Sequence, residues 1–445
     1  MKDVVFVNPC FDYPVTKKNN LPIYNRIWPP LSIANCASIL EREGYSVDIV
    51  DANAERLSIK ETIKRAKKGR KVFITTSPLD RWQCPNFDID IPMEIVEGIS
   101  NRDVYLMGFH GTVKPEEILE KSGADGIILG EPENNIKSVI ENPKSAPGFA
   151  YMKGRSIVIN EASESVNLNK IPFPAFHLLS MERYQYEIMG NNFALLETSR
   201  GCPWNCSFCN KEMYGNGFRK KSFEKVKEEI RCAVEEYDVR NLYFIDLEFT
   251  VNRKLVEKLC NFLIEKDYDL NWTCQTRLDT VDEDLLELMK EAGCQIIHYG
   301  IETGSERILQ KIGKDITFED INNGIRITRH FGIKSVCFFM IGFPGETEEE
   351  MDRTVEYAKE LNPEFASFNV VKPYPGTYFY EHSGGVNSPF PEYFHNEYSQ
   401  EFLRKKINHA YKSFYIRPEY IVRNVFKNPR LLLRQVKLFV NYVFG

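Results

Sequence analysis

Cys202, Cys206 and Cys209 stand in a C-x3-C-x2-C spacing within Glu197-Thr-Ser-Arg-Gly-Cys-Pro-Trp-Asn-Cys-Ser-Phe-Cys-Asn210, directly after the apolar run Phe193 to Leu196. Three thiolates on one short loop are metal-ligand chemistry. A cubic four-iron cluster normally takes four cysteine thiolates, so a loop offering three leaves one iron open to a small molecule. The other readings are a zinc site completed by a distant His or Cys, and three cysteines that only pack in a core. Zinc sites usually carry a second C-x2-C pair or a Cys/His pair downstream, and this chain has no second pair. The spacing therefore favours the cluster.

Further words along the chain narrow the reading. Pro29-Pro-Leu-Ser-Ile-Ala34, Leu40-Glu-Arg-Glu-Gly-Tyr-Ser-Val-Asp48, Thr276-Arg277-Leu-Asp279, Gly300-Ile-Glu-Thr-Gly-Ser305, Ile341-Gly-Phe-Pro-Gly-Glu-Thr347 and Pro373-Tyr-Pro-Gly-Thr377 occur in that order. With the cysteine loop, and with aromatic Phe208 just before its third cysteine, they resemble radical S-adenosylmethionine (SAM) enzymes that carry an N-terminal cobalamin-binding domain. The resemblance covers residues 1 to 380 or so. It implies a [4Fe-4S] cluster on Cys202, Cys206 and Cys209, SAM chelating the open iron, and cobalamin on the N-terminal domain. It also implies a cycle with two SAM molecules. One methylates reduced cobalamin; the other gives a 5'-deoxyadenosyl radical that takes hydrogen from an inert carbon, to which the methyl group is then delivered.

The same resemblance assigns site residues. Related chains often place Gly-Gly-Glu at the end of the second barrel strand, where this one has Phe244-Ile-Asp-Leu-Glu-Phe-Thr250. Asp246 or Glu248 is the expected contact for the SAM ammonium, with a helix N-cap as the competing role. Arg277 is expected to fork onto the SAM carboxylate. Glu302 and Ser305 are expected at the ribose or amino-acid part, Gly342 where backbone approaches the adenine and ribose, and Phe208 beside SAM. A structural salt bridge, cap or plain turn competes with each. For cobalamin the expected contacts are Thr76, Ser77, Gly108, His110, Gly130 and Glu131. The D-x-H-x-x-G motif that supplies an axial histidine in many cobalamin proteins is absent, and Met107 and Phe109 replace a Gly and a Pro around His110. A loop histidine is as readily scaffold as cofactor contact.

The elements that must position these residues follow from periodicity. Val4 to Asn8, Val47 to Val50, Val72 to Thr76, Val104 to Met107 and Gly126 to Leu129 read as buried strands, with helices near 31 to 43 and 114 to 121 between them. This alternation is α/β and predicts a doubly wound, Rossmann-like parallel sheet over 1–145, with ligands at the carboxyl ends of its strands. Residues 146–192 read as a linker, with one hairpin around Ile157 to Ile159. Over 193–385, strands near 193, 241, 270, 295, 333 and 365 alternate with five helices. Six such units fit the partial (β/α)6 barrel that the resemblance implies, with chemistry at the strand ends.

The last region, 386–445, is helical and basic: residues 401 to 445 carry a local +8 against −14 for the rest of the chain. From Arg417 onward it reads as a basic amphipathic segment, divided at Asn428-Pro429. Its second half is too short and too charged to cross a bilayer; it either lies on an anionic membrane or packs its apolar face on the barrel. A total of 11 cysteines and the lack of an apolar stretch before Asn8 place the chain in a reducing cytosol, or peripherally on the inner face of a membrane. The expected partners are a small-molecule or lipid-like substrate and an electron donor such as flavodoxin or ferredoxin, without nucleic acid.

Three other functions compete with methylation of an inert carbon. Ring formation or rearrangement can use the same cofactors without methyl transfer. A methylthiotransferase reading treats Cys10, Cys36 and Cys84 as ligands of a second cluster. A non-catalytic cobalamin sensor is the third.

Overall fold

The computed structural model describes residues 1–10, 27–86, 88–215, 217–384, 386, 388–395 and 397–427, with side chains through 423. Apolar, β-branched runs form the first sheet: β1 (Lys2–Asn8), β2 (Val47–Asp51), β3 (Gly69–Thr75), β4 (Asp103–Met107) and β5 (Gly126–Ile128). These five are parallel, and their spatial order β2-β1-β3-β4-β5 reverses at β1. The crevice of such a sheet lies outside the carboxyl ends of the strands, at the reversal.

Both faces of this sheet are covered, which is why its strands read as continuous apolar runs rather than alternating ones. Val4 and Phe6 of β1 join Ile33, Ala37 and Leu40 of helix Leu31–Arg42 on one side, whereas Val5 and Val7 join Ile95, Val96, Ile118 and Leu119 on the other.

The hairpin β6 (Phe149–Lys153) and β7 (Ser156–Ile159) pairs antiparallel with β5. The first sheet thus continues to Ile159, beyond the expected boundary at 145. A two-stranded hairpin is marginal by itself, and the free edge of β5 gives it a partner.

The second sheet holds β8 (Phe193–Leu196), β9 (Asn241–Phe244), β10 (Asn271–Thr276), β11 (Cys294–Glu302), β12 (Lys334–Ile341) and β13 (Phe365–Val370). All six are parallel and neighbour one another in chain order. Helices Phe223–Tyr237, Arg253–Lys266, Glu283–Glu291, Phe318–His330 and Glu348–Leu361 connect them. Ser222, Asp282, Thr317 and Thr347 cap the N-termini of four of these helices with their side chains, satisfying backbone N–H groups that the first turn leaves unpaired.

A barrel of six strands does not close, and an open strand edge is a template for pairing with another chain. Helix Gln400–Tyr415 covers the β13 edge. The Tyr415 hydroxyl accepts from the Ala366 N–H at 3.0 Å and donates to the Ala366 carbonyl at 2.7 Å, while Tyr411 accepts from the Phe368 N–H at 3.2 Å. Helix Pro418–Lys427 follows; Tyr420 is buried and donates to the Glu364 carbonyl, and Arg417 and Arg423 bond carbonyls of Lys359, Asn362 and Pro363. The start of the expected basic tail therefore packs on the barrel. Residues 428–445, where the membrane reading was centred, lie outside the described residues. No helix among the described residues is long and apolar enough to cross a membrane.

Candidate functional site

The cysteine loop leaves the barrel at the end of β8, and its root is held from both sheets. Asp246, just past β9, is buried and accepts from the Thr198 N–H at 2.9 Å and the Thr198 hydroxyl at 2.6 Å. Arg200 is also buried. It bonds Glu197 from its own loop and Glu131 and Glu133 from the segment after β5, at 2.6–3.2 Å. Gly201 has φ 84, and a Cβ there would stand 2.0 Å from the Gly217 carbonyl oxygen, so no other residue fits.

Farther along the loop, Trp204 lies under the Arg277 guanidinium, 4.5 Å from carbon to ring centre. The Ser207 N–H donates to the Ile312 carbonyl at 2.9 Å, the Cys209 N–H donates to the Cys206 carbonyl at 3.1 Å, and Phe208 meets Phe343 edge-on. Cys202, Cys206 and Cys209 are partly exposed. Burial pushes Cys202 up to about 11, with Glu248 as the next cause; burial and then Cys206 push Cys209 up to about 12.

This donor set fits an iron-sulfur cluster: three soft sulfurs on one loop, reachable from outside, in surroundings where a thiolate calls for a cationic partner. Among the described residues no three His, Cys, Asp or Glu side chains converge as they would around a single ion. The irons of a cube are spread apart, and their sulfurs need not meet at one point.

The strand ends around the loop sort the expected SAM contacts. Asp246 is fully engaged in bracing the loop root. Glu248 is freer: it accepts from the Thr276 hydroxyl at 3.4 Å, the Arg277 N–H leans on it as well, and burial raises its carboxyl to about 7. Arg277 has its fork filled by Asp279 at 2.8 and 2.9 Å and by the carbonyls of Lys314 and Asp315 at 2.6 and 3.0 Å. Glu302 has φ 71, where the pairing of β11 with β12 shifts register, and it receives the Lys314 ammonium at 2.5 Å. Ser305 is an N-cap whose hydroxyl also donates to Glu350. Gly342 has φ 86, and its N–H is held by Glu346 at 2.6 Å.

Lys314 was not legible from the sequence. Its ammonium bonds the Gly300 carbonyl at 2.7 Å besides Glu302, and it lies near enough to Cys206 and Glu248 to be stabilised by both. A side chain at Gly300 would collide with both members of that ion pair. The only signal was the turn Ile312-Gly-Lys314 after a short helix, which looks like an ordinary helix end.

In the first sheet, Thr76, Ser77 and Gly108 gather at the ends of β3 and β4. The Thr76 N–H bonds the Met107 carbonyl, the Ser77 hydroxyl accepts from the Phe109 N–H at 2.7 Å, and a Cβ on Gly108 would lie 2.8 Å from the Ser77 hydroxyl. Gly130 has φ 70 with open space where a side chain would be. The other two expected contacts have protein partners. His110 is buried against Phe109 and Phe390, with Nε2 on the Asn86 carbonyl, and burial lowers its pKa to about 4. Glu131 bonds Arg200 and Arg219.

The loop after β3 reaches across to the cysteines. Asn210 donates to the Trp82 carbonyl at 3.0 Å, and the Gln83 amide nitrogen stands 3.7 Å from the Cys209 sulfur. Of the cysteines in the second-cluster reading, Cys36 is buried inside helix Leu31–Arg42 and Cys84 is exposed on the loop after β3.

Residues 196–358 match the family model described as the Radical SAM superfamily. Over 435 residues the chain is 31% identical to a protein of Pyrococcus horikoshii described as an uncharacterized methyltransferase, with 92% of each chain covered. It is 28% identical over 378 residues to an anaerobic magnesium-protoporphyrin IX monomethyl ester cyclase of Rubrivivax gelatinosus, covering 80% of this chain and 66% of that one. The solved structure of OxsB, a cobalamin-dependent S-adenosylmethionine radical enzyme with aqua-cobalamin and S-adenosylmethionine bound, has the same fold: TM-score 0.73 at 17% identity, over 99% of this chain and 70% of that one.

Proposed function

We propose, from the fact that this chain belongs to the radical SAM superfamily, that it is a cobalamin-dependent radical enzyme methylating an unactivated carbon of a small-molecule or lipid-like substrate. The observation that carries this is the meeting of the two strand-end faces. Trp82 and Gln83, on the loop that leaves β3, touch Asn210 and Cys209 of the cysteine loop, so a ligand at the first sheet's crevice faces a ligand at the barrel mouth. The methyl reading is supported by the description of the Pyrococcus relative across nearly both whole chains. The cyclase relative favours a second reading, ring formation without methyl transfer.

When bound, the cluster, SAM and cobalamin supply a one-electron route to a carbon radical and a carrier for a methyl group. The chain's own part is placement. Cys202, Cys206 and Cys209 would hold the cluster. Glu248 would take the SAM ammonium, because Asp246 is taken up by short bonds to the loop root, whereas Glu248 has only a long bond from Thr276 and the Arg277 N–H. Lys314 would take the carboxylate in place of Arg277: two of its three N–H groups are used by Gly300 and Glu302, and the third remains. Arg277 then acts on the loop, holding Trp204 and the Lys314–Asp315 backbone. Phe208 and Phe343 offer an apolar wall to the adenine. Thr76, Ser77, Gly108 and Gly130 would border the corrin. A flavodoxin or ferredoxin is the proposed electron donor.

Anaerobic incubation of the reduced protein with cobalamin, methyl-deuterated SAM and candidate substrates tests the proposal. Equal amounts of 5'-deoxyadenosine and S-adenosylhomocysteine, with deuterium in the product, are expected. 5'-Deoxyadenosine without S-adenosylhomocysteine would overturn methyl transfer in favour of ring formation.

A further inference from the structure

We infer that Gln83, a residue of the N-terminal domain, donates an N–H to the thiolate of Cys209 and thereby raises the reduction potential of the cluster on the barrel. This rests on the cluster assignment above. Gln83 Nε2 is 3.7 Å from Cys209 Sγ, within the range of an N–H bond to sulfur. The orientation of its amide is set by Gln275, whose Nε2 reaches Gln83 Oε1 at 3.5 Å and the Leu247 carbonyl at 3.2 Å. The Leu247 carbonyl fixes which end of the Gln275 amide is the NH2, and that NH2 also meets Gln83, so the Gln83 oxygen turns toward it and the nitrogen faces the sulfur.

The loop that carries Gln83 is clamped on several sides. Trp82 is 1% exposed, donates from its ring to the Ser77 carbonyl at 3.2 Å, accepts from Asn210 at its own carbonyl, and sits between the Tyr214 ring and the Arg200 guanidinium. Hydrogen bonds to cluster sulfurs stabilise the reduced, more negative state and so raise the potential. Ser77 and Trp82 also join this contact to the crevice of the first sheet, where Ser77 is one of the residues at the β3 and β4 ends. The domain that would hold the corrin therefore bears directly on how readily the cluster takes its electron.

Gln83→Leu removes the donor at similar volume, and Gln83→Glu replaces it with an acceptor that repels the thiolate. In anaerobically reconstituted full-length protein, a redox titration followed by the paramagnetic signal of the reduced cluster measures the midpoint potential. A lower potential is expected for Gln83→Leu, and a still lower one for Gln83→Glu, at unchanged iron and sulfide content. Gln275→Leu leaves Gln83 in place but removes its orienting donor, so a smaller shift in the same direction is expected, and this variant carries the test if the Gln83 variants fail to load. Unchanged potentials in cluster-loaded variants would overturn the role of Gln83. An unsubstituted protein that binds no iron would instead overturn the cluster assignment.

Discussion

Asp246 and Glu248 sit two residues apart beyond the same strand, and only their neighbours distinguish them. Thr198 faces Asp246 and satisfies it, so its loss is felt in the fold; Glu248 keeps capacity to spare. Glu248→Gln is expected to weaken SAM binding about tenfold to 100-fold, the loss of one hydrogen bond to a charged group at about 1.5–3 kcal/mol, with little change in melting. Asp246→Asn is expected to lower stability by about 1–3 kcal/mol through unsatisfied loop groups. Equilibrium dialysis with SAM and denaturant unfolding separate the two. Lys314 shows where sequence reading stops: a lysine after a short helix carries no mark of the buried carboxylate that receives it. The two residues are twelve positions apart in the chain, and the register shift in β11 that turns Glu302 inward is a tertiary event.

Glu346 gives a pH prediction at the same scale. Burial, outweighing the Phe343 and Gly342 N–H groups, raises its carboxyl to about 7. Its folded pKa is above its unfolded one, so the fold binds the proton more tightly, and the stability this contributes is present below about pH 4.5 and lost as pH rises to about 7. The swing is on the order of 3 kcal/mol. Glu346→Gln, which keeps an acceptor for those two N–H groups, should flatten the dependence of unfolding free energy on pH between 5 and 7.

At the scale of elements, the open barrel edge is the exposed point. Tyr415→Phe leaves both the N–H and the carbonyl of Ala366 without that hydroxyl, at about 1–3 kcal/mol for each group left unsatisfied. Urea unfolding should register it as a lower midpoint. Gly201→Ala must push the loop off Gly217, and iron content after reconstitution should fall sharply while far-ultraviolet circular dichroism stays near that of the unsubstituted protein. Most elements were legible because local signals agreed: helix Phe318–His330, for example, runs from its Thr317 cap to Gly332 with Ile321, Ile325 and Thr328 inward. The hairpin expected around Ile157 to Ile159 is present as β6 and β7; its pairing with β5 was not legible, because Phe149 to Lys153 begins in a run of Pro and Gly and the β5 edge is a tertiary partner. The protein partners of His110 and Glu131 were not legible for the same kind of reason: both lie at a strand tip, and their hydrogen bonds go to Asn86, Arg200 and Arg219, far away in sequence.

Across the whole molecule, the two domains are joined by charge as well as by the Trp82 loop. Arg200→Met would leave Glu131, Glu133 and Glu197 with less counter-charge in a buried setting, a loss of about 3–5 kcal/mol. Calorimetry should then show unfolding beginning at a lower temperature than in the unsubstituted protein. Both domains converge on one site, the cysteine loop. Its most direct test is 5'-deoxyadenosine formation from SAM by anaerobically reconstituted, reduced protein, comparing the unsubstituted chain with Cys202→Ala, Cys206→Ala and Cys209→Ala combined. A cluster on this loop gives about four irons per chain and steady 5'-deoxyadenosine from the first, and neither from the second; 5'-deoxyadenosine formed at the same rate by the triple variant would contradict that assignment.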